Sequence, residues 1–224
     1  MGQKCNRGSE RHGMKQRGLI ELFQYWDRLR DKRPAPKRTE IEPADIKTLL
    51  ADTFILEKDG RGEAIFRLAG TRLCAVFGRE LKGFALPSLW AFKDQRLVAR
   101  LAHSAFHQKS VVVVAFEGRS QNGRINPFEL LLLPLDGEEG SPRTLGIVSA
   151  VEKPYWLGAD PIVECRLDTI RVVDPDREPM FLKNRPAVAV PAIAPSADEV
   201  AGTTPGKRGR RIRHLVVFEG GRDT

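Results

Sequence analysis

The chain has 224 residues, a formal net charge of +8, 41% hydrophobic and 29% charged residues; that suits one folded domain with extensions and excludes a wholly disordered polypeptide. No apolar run approaches the ~18–20 residues of a membrane-spanning helix, and the opening MGQKCNRGSERHG has no apolar stretch of the secretory-signal kind. Cys5, Cys74 and Cys165 are odd in number and far apart, so they suit neither a disulfide framework nor a zinc site and point to a reducing, cytoplasmic setting.

Residues 1–13 read as a disordered basic tail and residues 14–38 as an N-terminal helix with its linker. Leu19, Leu22, Phe23, Trp26 and Leu29 recur at three- and four-residue steps, which places them on one helical stripe. Pro34 and Pro36 end the helix. A short helical segment is expected over Pro43–Leu50. Thr53–Glu57 and Ala64–Leu68 read as two strands joined by a turn that contains Asp59-Gly60, a hairpin signal. Thr71–Phe77 is a short helix. Gly78, Gly83 and Pro87 punctuate a loop-rich stretch, and Asp94–Gln108 is a second amphipathic helix with Leu97, Leu101 and Ala105 four residues apart.

Three strands follow: Ser110–Glu117, Asn126–Leu135 and Thr144–Glu152. In the middle one, Phe128, Leu130 and Leu132 point to one face, and Glu129, Leu131, Leu133 and Leu135 to the other. Both faces therefore need cover, and the N-terminal helix is the expected lid, from the same chain or from a second copy. Cys165–Val173 reads as another strand or an extended arm. Residues 39–182 thus form an α+β domain with a C-terminal arm, an antiparallel sheet with helices on one side. Residues 183–224 are a Pro/Ala-rich linker and a flexible basic tail, in which Leu215–Phe218 has β-type composition.

The stretch Phe66–Gly83, FRLAGTRLCAVFGRELKG, resembles the start of a PAS domain, and FELLLLPLDGEEGSPRTLGIVSAV resembles its closing strands. The likeness is to the bacterial family of small proteins with one PAS domain and no attached output domain. It covers residues 15–175. The resemblance implies a five-stranded antiparallel sheet in the order 2-1-5-4-3 and a non-catalytic sensory or regulatory role exercised through contact with a signalling protein. It also implies dimerisation through the first helix and the sheet, which singles out Phe23, Trp26, Leu29, Leu131 and Leu133 as interaction residues. An internal small-molecule ligand would be lined by Leu73, Phe77, Trp90, Phe106 and Val148.

Other chemistry is weakly signalled. His103 and His107 have the i, i+4 spacing of a metal pair, but Arg96 and Arg100 share their helical face and would repel a cation, so we read a solvated face. Cys74 lies in RLCAVF, not in the NCRFLQ-like string of flavin photosensors, so no cofactor is expected. Of the 37 basic residues, 11 lie in residues 1–38 with 4 acidic ones, and 8 lie in residues 183–224 with 4 acidic ones, so the positive excess sits on the extensions. The alternative function is accordingly a nucleic-acid-associated regulator using Arg208, Arg210, Arg211 and Arg213 on phosphates.

Overall fold

A strand with large apolar residues on both faces must be covered twice, and β4 (Ile125–Leu135) organises the fold by being so covered. The computed structural model describes residues 16–137 and 142–176, together with the backbone of 210–212 and 215–217. The chain divides into two units, residues 1–184 and 185–224. In the first, β1 (Thr53–Lys58), β2 (Ala64–Ala69), β3 (Val111–Ser120), β4, β5 (Arg143–Ala150) and β6 (Ile162–Val173) form one sheet in the order β2-β1-β5-β4-β3-β6. Every pairing is antiparallel. The expected order 2-1-5-4-3 is present. The sheet has six strands instead of five, because Cys165–Val173 continues back to Ile162 and pairs with β3 from Val111↔Val173 to Ser120↔Ile162.

The helices are α1 (Arg17–Arg30), α2 (Thr71–Phe77) and α3 (Phe92–His107). On the inner face, Phe128, Leu130 and Leu132 of β4 join Leu73 and Phe77 of α2 and Val98, Leu101, Ala105 and Phe106 of α3 in one apolar cluster. On the outer face, Leu131, Leu133 and Leu135 join Leu19, Leu22, Phe23 and Trp26 of α1 in a second. The sheet is therefore sandwiched between layers. The alternation of β4 is the reason: a one-residue slip in its register would exchange the two sets.

The linker after α1 is tied to the sheet. Residues 36–38 run beside the end of β4, with Asp136 N donating to Pro36 O at 2.8 Å and Arg38 N to Asp136 O at 3.0 Å. Pro43–Leu50, expected as one helical segment, is split into 3-10 turns at Pro43–Ile46 and Leu50–Asp52. Both sheet edges are partly covered, which limits pairing with other chains. On β2, Phe66 exchanges backbone hydrogen bonds with Gly83 and Phe84; on β6, Cys165 O accepts from Ala91 N and Leu167 N donates to the Asp94 carboxylate.

Gly78 and Gly146 are among the glycines that geometry requires. Gly78 ends α2 with φ +64°, a left-handed cap. Gly146 of β5 lies under the Phe54 ring, where an added Cβ would come within 2.1 Å of the ring carbon Cζ. In the second unit, β7 (Arg210–Ile212) and β8 (Leu215–Val217) form a short antiparallel pair. The disordered tail expected over residues 1–13 and most of the linker and basic tail expected over 183–224 lie outside the described residues.

Candidate functional site

The outer face is where the N-terminal helix meets the sheet. Fourteen residues of helix are marginal alone, so α1 depends on this contact. Trp26 is fully buried and its Nε1–H donates to Pro134 O at 2.7 Å. The Phe23 ring lies 5.8 Å from that of Trp26, and Leu29 is partly buried against the same cluster. Leu131 and Leu133 are fully buried beneath the helix. The five interaction residues read from the sequence thus meet within one chain. Docking on its own sheet is one of the two arrangements expected for the lid; a homodimer through these residues would require α1 to exchange between copies.

Three groups in this layer were not singled out by sequence. Arg30 is only 4% exposed. Its guanidinium donates to Asp27 Oδ1 at 2.7 Å, Asp176 Oδ1 at 2.8 Å and Arg33 O at 3.1 Å, and sits 5.4 Å from the Trp26 ring centroid. Burial works against its charge, but the carboxylates of Asp176 and Asp27 outweigh it and hold the proton more firmly than usual. Tyr25 accepts Glu42 N on its hydroxyl at 2.8 Å, and burial raises its pKa. Glu129 accepts Gln16 N at 3.1 Å at the start of α1. Arg30 is four residues after Trp26, on the edge of the apolar stripe; a stripe of that kind marks such an arginine as a candidate, but its carboxylate partner 146 positions away is visible only in three dimensions.

On the inner face, the candidate ligand liners Leu73, Phe77, Trp90, Phe106 and Val148 all belong to the single inner cluster and are all buried. Trp90 packs 4.8 Å from Phe116, which stacks on Phe128 at 5.2 Å. Two polar atoms stand out in this apolar interior: Trp90 Nε1 and Thr144 Oγ1 are buried without a hydrogen-bond partner. Cys165 is buried and Cys74 partly so. Burial pushes both thiols above their ordinary range, reinforced by Glu164 and Glu80 respectively, the reverse of what an activated nucleophile needs.

His103 and His107 project from the exposed side of α3 with ring centroids 4.3 Å apart. Among the described residues, no group of three or more His, Cys, Asp or Glu is placed to hold a metal. Arg210 and Arg211 lie in β7, whereas Arg208 and Arg213 lie outside the described residues. Among the described residues, no helix is long and apolar enough to cross a membrane.

A family model described as PAS domain matches residues 14–149. The chain belongs to the PAS domain family. The chain is also similar, at low identity, to solved structures. The PAS domain of an HTR-like protein from Haloarcula marismortui is 19% identical over 48% of this chain and 90% of its own, with a TM-score of 0.36. The PAS domain of a protein from Colwellia psychrerythraea is 17% identical over 50% of this chain and 100% of its own, with a TM-score of 0.37. No curated protein matches the chain. Membership makes this a domain of the sensory and signalling kind, a class that is generally non-catalytic.

Proposed function

We propose that this PAS domain protein is a non-catalytic sensory or regulatory adaptor whose outer face, with α1 docked on it, is the surface that communicates with another protein. The observation that carries the reading is the double role of β4. Leu130 and Leu132 are in the inner core, and Leu131 and Leu133, their neighbours in the chain, are under α1. A rearrangement of inner-core packing must move the same strand that seats the helix. Closely packed interiors transmit such a displacement instead of absorbing it. The signal is then a shift in the population of docked α1. An internal ligand would have to enter the packed cluster, and the two polar positions it would meet there are Trp90 Nε1 and Thr144 Oγ1.

Hydrogen exchange tests the coupling. Leu132→Ala opens the inner core without touching α1. It is expected to speed exchange of the α1 amides beyond the loss of global stability measured on the same variant, while the exposed substitution Leu68→Ala leaves them alone. If α1 responds only in proportion to the global loss, the strand is not a relay. Native mass spectrometry of the protein isolated from its own cells tests for a ligand directly.

A further inference from the structure

The C-terminal end of β6 does more than close the sheet. β6 ends at Val173, and Asp174 to Asp176 carry the chain back across the end of α1. There Asp176 Oδ1 meets the Arg30 guanidinium at 2.8 Å. The two partners are buried very unequally: the Arg30 side chain is 5% exposed and that of Asp176 63%. The buried partner is the one that cannot be left alone. A guanidinium taken out of water is costly without carboxylate and carbonyl acceptors. Arg30 uses Asp27 from its own helix, Arg33 O from the turn after it and Asp176 from the arm. The turn itself is held in an unusual shape, with positive φ at Asp31 and Lys32. Asp176, by contrast, is an exposed residue that water would solvate readily if it swung away.

This asymmetry sets out a clasp. We propose that the Arg30–Asp176 pair fastens the last turn of α1 to the arm that leads into residues 177–224, so that the helix and the arm are held or released as one element. The coupling goes beyond the sensory reading of the outer face and stands whatever partner that face serves. Anything that draws Asp176 away from α1 removes one acceptor from Arg30 and loosens the helix end. Anything that lifts α1 withdraws the guanidinium and frees the arm. Linkage requires the two effects to be equal in free energy. An ordinary surface ion pair would not do this, because it is screened and each partner is already solvated. The packing of Arg30 over the Trp26 ring ties the clasp to the residue that anchors the helix to β4.

The test is reciprocity, measured on the full chain by hydrogen exchange. Asp176→Ala is expected to speed exchange of the amides in the last turn of α1 by about tenfold, the response of a local opening when a buried guanidinium loses one of its carboxylates. Arg30→Lys keeps the charge but loses the fork of donors. It is expected to speed exchange at the far end, in residues 171–173 of β6, by a comparable factor. Glu164→Gln, which removes an exposed pair with Arg166 on the same strand, should change neither end. The double variant Asp176→Ala with Arg30→Lys should be no looser than the worse single variant, because the two changes break one contact. The proposal is overturned if Asp176→Ala leaves α1 exchange within twofold of wild type, if each variant loosens only its own segment, or if the two effects multiply in the double variant. Should Arg30→Lys fail to fold, the Asp176→Ala result on α1 decides alone.

Discussion

Trp26 and Trp90 offer a controlled comparison, since both are almost fully buried, at 0% and 4% exposure, and differ in what the indole N–H does. Trp26 Nε1 donates to Pro134 O at 2.7 Å, whereas Trp90 Nε1 has no partner. Replacing either by Phe removes the N–H and part of a ring. At Trp26 the change also strands a buried carbonyl, which costs about 1–3 kcal/mol. At Trp90 it removes a donor that was already unpaired, so that this part of the change is neutral or stabilising. The ring-volume loss is common to both. Trp26→Phe should therefore be less stable than Trp90→Phe by about 1–3 kcal/mol. Equilibrium urea unfolding of the two variants measures the difference, and an unchanged m-value guards against a change in unfolding mechanism. Equal costs, or a larger cost at Trp90, would refute the reasoning and would mean that Trp90 Nε1 has an acceptor in solution, a bound water or ligand. Light scattering on Trp26→Asp adds the assembly question. Intrachain docking predicts lower stability at unchanged mass, whereas a fall from dimer to monomer would place α1 on a second copy.

Three further outcomes are expected. Gly146→Ala should destabilise the domain by about 1–3 kcal/mol, because the new methyl group collides with the Phe54 ring in a packed core; thermal melting that is unaffected would mean the ring has room to move. Cys165, with its thiol pushed up by burial, should resist a thiol reagent until the domain unfolds, while the partly buried Cys74 reacts earlier; mass-resolved labelling reads the order, and early modification of Cys165 would contradict the inner-core assignment. Asp160 accepts Ser120 Oγ at 2.7 Å and Asn122 N at 3.3 Å, with Arg124 at 3.7 Å. Burial acts to raise its pKa, but these donors outweigh burial and lower it. The stability it contributes is then present above the ordinary carboxylate pKa and lost as pH falls through the lowered one. Acid unfolding of wild type should show that loss, and Asp160→Asn should be less acid-sensitive over the same range.

Much of this protein is local physics. The apolar stripe of α1 follows from three- and four-residue spacing, the turns from Asp59-Gly60 and Gly78, and the two-faced character of β4 from strict alternation over Phe128–Leu135. A composition rich in such patterns, with the FRLAGTRLCAVFGRELKG stretch, sufficed for the PAS fold. What periodicity carries is which side of an element is apolar; it does not carry what that side meets. Tertiary structure decided that the stripe of α1 closes on its own β4, that Cys165–Val173 is a strand and not an arm and starts at Ile162, and that a buried arginine on α1 reaches an aspartate 146 residues away. Trp90 shows the same limit from the other direction: its size and hydrophobicity mark it as core, but only the arrangement of its neighbours leaves its N–H without an acceptor. Side-chain partners between distant segments depend on how whole layers stack, and nothing in a local window of sequence encodes that stacking.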